Sequence, residues 1–185
     1  MRTLGQPNAS FKGDRGDPDA ALRVLLADAY TTNDAYLHAV AALCAGRLLL
    51  PIVAAGDDHG DGPDPDRHAE LAAVLLESGA GDGRRGVVVF TGLDALQAWN
   101  PHARPVPCTL DDVAATAVET QASAVLIDPG LPHSLVLEGE LIAQLAQGRR
   151  LIALDGGGFG WLYVQQPADA AQPTDADVRG HAHEH

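Results

Sequence analysis

The sequence predicts an α/β (α+β) fold: one domain over 18–164 with a mixed β-sheet flanked by helices, between disordered tails at 1–17 and 165–185. Three observations predict it. Short apolar runs at 48–53, 85–90 and 124–127 read as buried strands. After residue 90 helices alternate with strands, whereas a hairpin precedes them, a pattern that suits a mixed sheet. The length of 185 residues, 46% of them hydrophobic, is enough for one real core and short for two.

The elements follow in order. Residues 1–17 are polar and Gly-rich and read as a disordered leader. Its Arg15-Gly16-Asp17 tripeptide invites an adhesion reading, but three residues match by chance and nothing marks an extracellular protein. Asp17-Pro18 opens a helix, Asp17 as cap and Pro18 in the first turn, where its missing N–H is no loss. A second helix starts at Thr32 or Asn33 and ends near Gly46. The strand 48–53 contains Pro51, which suggests an edge position or a bulge. An acidic loop occupies 56–67. Residues 69–77 and 85–90 form a hairpin across a Gly-rich turn, and 93–99 is a short helix. Residues 101–107 read as an irregular connector. Thr109 caps a helix over 110–121, with Asp112 in the capping-box position. The strand 124–127 ends in the turn signal Asp128-Pro129-Gly130, and a short strand at 135–137 follows. A helix over 138–147 stops at Gly148, and short strands at 150–154 and 159–164 flank a Gly-rich turn.

Composition excludes several function classes. The formal net charge is −13, and no segment supplies the basic patch that phosphate binding requires, which argues against nucleic acid. Arg84-Arg85 and Arg149-Arg150 read as solvated strand edges. The N-terminus lacks the apolar core of a signal peptide, and the longest apolar run, 48–55, is too short to span a bilayer, so no membrane role is expected. The expected compartment is cytoplasmic. Cys44 and Cys108 cannot form a disulfide framework and read as buried, reduced thiols.

No residue earns a catalytic, metal-ligating or cofactor-binding role. The stretch Asp57-Asp58-His59-Gly60-Asp61-Gly62 partly resembles a calcium loop, but His59 and His68 would fall at the third and twelfth positions, where calcium requires hard oxygen ligands. His181, His183 and His185 form a flexible metal-attracting tail rather than a closed site. The run Asp155-Gly156-Gly157-Gly158-Phe159-Gly160 lacks the Lys-Ser/Thr of a phosphate loop. Ser134 beside His133 has no third orienting group.

The most informative segment is 90–101. It places Phe90-Thr91 at a strand end, Gly92 and a possible capping acid at a helix start, and Trp99-Asn100-Pro101 at the helix end. One reading is structural: Phe90 in the core, Trp99 over the sheet edge, Asn100 capping a turn. The other makes Trp99, Asn100 and Pro101, together with Asp128, Pro129 and Gly130, one rim of the sheet, where ligands of α/β folds tend to bind.

Three stretches, Val87-Val88-Val89-Phe90-Thr91 with the helix closing at Trp99, Asp128-Pro129-Gly130, and the run 135–142, resemble the N-terminal domain of the SseB family. These are small bacterial proteins named for an enhanced serine sensitivity phenotype. The resemblance covers about 20–162, and the Ala-rich style resembles actinobacterial members. Asp128 stands where the family often has Asn, a mild departure because both residues favour that turn. The resemblance brings no catalytic residues with it. The expectation is a non-enzymatic module that binds or regulates a protein partner which the sequence does not name. The alternative is a small-molecule protein or enzyme taking an amino-acid-like ligand at the strand-exit rim.

Overall fold

The computed structural model describes residues 11–54 and 71–163. The acidic loop and the histidine tail lie outside the described residues. The chain opens with two helices, α1 (Ala20–Asp28) and α2 (Asn33–Ala45), followed by β1 (Leu48–Ala54), β2 (Leu71–Ala73), β3 (Leu75–Glu77) and β4 (Arg85–Val89). Then come α3 (Leu93–Trp99), β5 (Arg104–Cys108), α4 (Leu110–Glu119), β6 (Ala124–Ile127), β7 (Leu135–Glu138) and α5 (Glu140–Leu145), and the chain closes with a hairpin, β8 (Arg149–Ala153) and β9 (Phe159–Tyr163). This is the expected α+β domain with a mixed sheet.

The central four-stranded sheet has the order β3-β4-β6-β7; β4 and β6 run parallel and the outer pairs antiparallel. Alternation along its inner strands separates two apolar clusters. Val87, Val89, Val125 and Ile127 join a large cluster built with α1, α2, α4 and α5. Val88 and Phe90 face the other way, into a small cluster with Leu96 of α3. A parallel strand pair buried on both faces therefore reads as a continuous apolar run.

The antiparallel sheet β2-β1-β5 is stitched to this one at a single bridge, where Leu49 and Phe90 exchange both backbone hydrogen bonds at 2.8 and 2.9 Å. Pro51 therefore does not sit on an edge strand, because β1 is central. With the backbone groups of Leu49 directed at Phe90, those of Pro51 point the same way, into the gap between that bridge and the β2 pairing that starts at Ile52. No partner strand there requires the N–H that proline lacks.

Residues 101–107 are also corrected. Pro105 and Pro107 stand opposite Pro51 and Leu49 in β5, an edge strand. Since Leu49 bonds away from β5, both prolines turn their nitrogens to the open side, where no ladder bond is lost. The first helix is capped by Asp19, whose carboxylate accepts from the N–H groups of Ala21 and Leu22, and not by Asp17. The capping box of Thr109 and Asp112 is present as expected. The helix expected over 138–147 is shorter, because Glu138 ends β7 and Gly139, at φ 62°, makes the corner.

Arg84 is solvated, as expected of a strand edge, whereas Arg85, Arg149 and Arg150 are half-buried, and all four side chains have partners. Arg84 pairs with Glu138, Arg85 donates to the Thr120 carbonyl, and Arg150 pairs with Asp111 at 3.1 Å. Arg149 donates to Gln144 and lies 4.9 Å from the centre of the Tyr163 ring. Residues 11–17, assigned by composition to the leader, pack on the domain. Gly16 is buried, its carbonyl accepts from Leu93 N–H at 2.7 Å, and Arg47 ion-pairs with Asp14 at 2.7 Å while donating to the Asp17 carbonyl.

Candidate functional site at the strand exits

Parallel pairing puts the ends of β4 and β6 side by side, so Thr91 and Asp128 emerge at the same end of the sheet. The Asp128 N–H donates to the Val89 carbonyl at 3.0 Å, which continues the ladder one residue beyond β6. Asp128 then turns to φ 46°, a left-handed conformation that Asp and Asn tolerate better than other side chains, and Gly130 follows at φ 81°. The turn signal in the sequence is thus realised, but with the Asp128 side chain folded inward.

That side chain has no solvent exposure, so it lines no open rim, contrary to the expectation. One carboxylate oxygen accepts from Thr91 N–H at 2.9 Å and the other from the Thr91 hydroxyl at 2.5 Å. The same hydroxyl accepts from Arg23 Nε at 3.1 Å, and the Arg23 guanidinium grips Asp94 through both terminal nitrogens at 2.7 Å. The hydrogen bond from Arg23 is the chief reason the Asp94 carboxyl is held below its ordinary value, and Asp94 in turn holds Arg23 above its own. Arg47 donates to the Thr91 carbonyl at 3.0 Å. A buried carboxylate without donors would cost several kcal/mol, by order of magnitude, so these donors are what make Asp128 tolerable.

His133 arrives from the turn after β6. Its Nε2 lies 3.0 Å from an Asp128 oxygen but off the direction of a hydrogen bond, and it is the buried side-chain polar atom left without one among the described residues. The sequence drew attention to His133 for its neighbour Ser134; the structure instead sets it against Asp128, five residues back. The order Thr91–Asp128–His133 places the carboxylate between hydroxyl and imidazole. The hydroxyl therefore donates to a carboxylate and not to the imidazole of a nucleophile–His–Asp arrangement.

Of the other predicted site residues, Trp99 is partly buried, its ring 5.4 Å from that of Phe90, in the small cluster that also takes in Leu131 from the turn after Gly130. Asn100 ends α3, and its side-chain oxygen accepts from His102 N–H at 2.9 Å, the capping role of the structural reading. Pro101 and Gly130 are exposed and Pro129 half-buried. Trp99 and the turn at 128–130 thus meet through one apolar cluster, while the acid expected on the rim is enclosed. No side chain caps α3: its first N–H is satisfied by Gly16, and Asp94 faces Arg23.

The residue pairs missed by sequence reading, Arg23 with Asp94, Arg47 with Asp14 and Asp128 with His133, join distant or non-periodic positions. Burial pushes the Cys44 thiol up to about 11 and that of Cys108 up to about 12, so both are inert. No group of His, Cys, Asp and Glu among the described residues could hold a metal ion, and no described helix is long and apolar enough to cross a membrane. No curated protein matches the chain. A family model, the SseB protein N-terminal domain, matches residues 20–144, which include the parallel pair, Trp99 and the turn at 128–130.

Proposed function

As the chain belongs to the SseB family, we propose that it is a non-enzymatic cytoplasmic module that binds or regulates a protein partner through the ridge formed by Trp99, Asn100 and Pro101 with Pro129 and Gly130. One observation supports this reading above others: at the strand exits, His133 apart, the polar side chains are engaged with one another. Thr91, Asp128, Arg23 and Asp94 form a connected set of hydrogen bonds. Beside them stand the half-buried Trp99 and Pro129 and the exposed Pro101 and Gly130, a set that suits a partner's side chains better than a small polar ligand. Affinity purification from the native host tests it, comparing wild type with Trp99→Ala and with the exposed-site variant Pro101→Asp. Loss of the same partner in both variants, with unchanged thermal unfolding of Pro101→Asp, is the expected result. Identical partners in all three proteins would reject the surface.

A second reading, binding of an amino-acid-like small molecule, is favoured by a depression of about 480 Å³ beside Thr91, lined in part by Lys12, Asp14, Asp19 and Arg47. Its volume is within the range of ligand sites. Arg47 and Asp14 are already paired there, and Asp19 caps α1, which is why this reading ranks second. A thermal-shift panel of amino acids and nucleotides decides it: a ligand at about 100 times its dissociation constant stabilises by ~2.7 kcal/mol. No shift across the panel removes this reading.

A further inference from the structure

The domain treats its sheet edges unequally. Edge β5 is blunted by Pro105 and Pro107. Edge β7 is closed by two tyrosines: Val136 N–H donates to the Tyr30 hydroxyl at 3.0 Å, and the Val136 carbonyl accepts from Tyr36 at 2.9 Å. The terminal hairpin has neither device. Strand β9 (Phe159–Tyr163) contains no proline and no charged residue, and among the described residues it hydrogen-bonds only to β8. An unblunted apolar edge is a template for another strand.

The register says which strand fits. Leu154 N–H donates to the Gly158 carbonyl, which puts the pairs Ile152/Gly160 and Arg150/Leu162 in the hydrogen-bonded register of the hairpin. The backbone N–H and C=O groups of Phe159, Trp161 and Tyr163 therefore point outward. These positions are symmetric about Trp161. Two copies of β9 laid antiparallel about a twofold axis at Trp161 bring Trp161 opposite Trp161 and Phe159 opposite Tyr163, each with its outward groups matched. The same register sets Leu162, 50% exposed, across from Gly160, large against small.

Charge does not oppose this partner at the β9 edge. A chain with net charge −13 repels its own copies over most of its surface, but β9 presents none of that charge, and the adjacent β8 carries Arg149 and Arg150. We propose that the outward edge of β9 pairs with β9 of a second copy, forming a twofold-symmetric antiparallel four-stranded sheet from two hairpins. Such an interface is small, so the association is weak and concentration-dependent.

Sedimentation equilibrium of the full chain, from micromolar to near-millimolar concentration, provides the test. The wild type is expected to rise from its 19.2 kDa monomer mass toward twice that value. Tyr163→Pro, which removes one outward N–H without touching the bonds to β8, is expected to stay monomeric. Tyr163→Val, which keeps the N–H and loses the ring, is expected to associate like the wild type. A wild type that remains at 19.2 kDa throughout overturns the proposal. So does association of Tyr163→Pro at wild-type strength, and so does failure of Tyr163→Val, which would mean a side-chain contact rather than strand pairing. Hydrogen exchange on the wild type keeps the test decisive should Tyr163→Pro unravel the hairpin. The amides of Phe159 and Trp161 should gain protection with concentration while those of Gly160 and Leu162 are protected throughout; outward amides indifferent to concentration would overturn the proposal.

Discussion

The exits of β4 and β6 and the hairpin β8–β9 are both made from short apolar strands, yet they end in opposite ways. At the exits the chain turns a carboxylate inward and surrounds it with donors: Thr91 on its backbone and hydroxyl, with Arg23 behind. At the hairpin it leaves Leu154, Leu162 and Tyr163 at 48%, 50% and 66% exposure. The first region gains its order from polar complementarity within one chain. The second has one face on the core, through Leu151, Phe159 and Trp161, and an outer face and edge without such complementarity. Polar groups that look reactive in a sequence can be structural, and the adaptable surface can lie in a bland run of hydrophobic residues.

The sharpest way to break this contrast is Asp128→Ala. It leaves the Thr91 N–H and hydroxyl without acceptors in a buried site and puts alanine at φ 46°. Loss of about 3 kcal/mol is expected from the unsatisfied donors and backbone strain together. Asp128→Asn keeps an acceptor and tolerates the left-handed turn, so its cost should be about 1 kcal/mol. Urea unfolding at neutral pH measures both. Equal costs would mean the carboxylate is not held by this network.

Much of the fold was legible because its causes are local. Continuous apolar runs marked β4 and β6, Thr109 and Asp112 marked the start of α4, and Asp128-Pro129-Gly130 marked a turn because Asp and Gly tolerate positive φ. The site was less legible because its pairings are remote: Thr91 with Asp128 spans 37 positions and Arg23 with Thr91 spans 68. Nothing in a periodicity announces those partners. Pro105 and Pro107 misled for a different reason. Proline is costly wherever a neighbouring strand needs its N–H, but on an edge that missing N–H faces no neighbour, so a proline-rich stretch can still be β5. Asp19 and not Asp17 is the cap because α1 begins at Ala20, which puts the Asp19 carboxylate within reach of the Ala21 and Leu22 N–H groups.

The tyrosine closure of β7 offers the next largest effect. Tyr36→Phe removes the donor to the Val136 carbonyl, at a cost of about 1 kcal/mol. Burial raises the Tyr36 hydroxyl from 10.0 to about 12. The folded state therefore holds its proton more tightly than the unfolded chain. The resulting stability is complete below 10.0 and is lost as pH climbs toward about 12. The variant should lose this part of the alkaline decline, as followed by thermal unfolding across that range. An unchanged alkaline limb would show that Tyr36 does not carry it.

A smaller effect belongs to the exposed end of the exit network. Asp94 is held below its ordinary 3.8 chiefly by the Arg23 hydrogen bond. A depressed carboxylate contributes stability that is present above the unfolded value and fades as pH falls through the folded one. Because more than half of the Asp94 side chain is in solvent, the neutral-pH cost of Asp94→Asn should be below about 1 kcal/mol. It should shrink further in high salt. A cost comparable to that of Asp128→Ala would place the weight of the network at its surface end instead of at its buried one.

The smallest effect is the most discriminating for the hairpin. Leu162 points away from the core, opposite Arg150 and on the face of Ile152, and Thr is a good strand former of smaller apolar area. Leu162→Thr should therefore change monomer stability by no more than about 0.5 kcal/mol, measured by urea unfolding at low protein concentration. A core leucine such as Leu151, on the inner face of the same strand pair, is 4% exposed, and Leu151→Ala should lose about 2–5 kcal/mol. The two faces of one hairpin would then differ several-fold in what they contribute to folding. Comparable losses at Leu162 and Leu151 would mean that the outer face is already covered within the monomer, and the contrast with the strand exits would collapse.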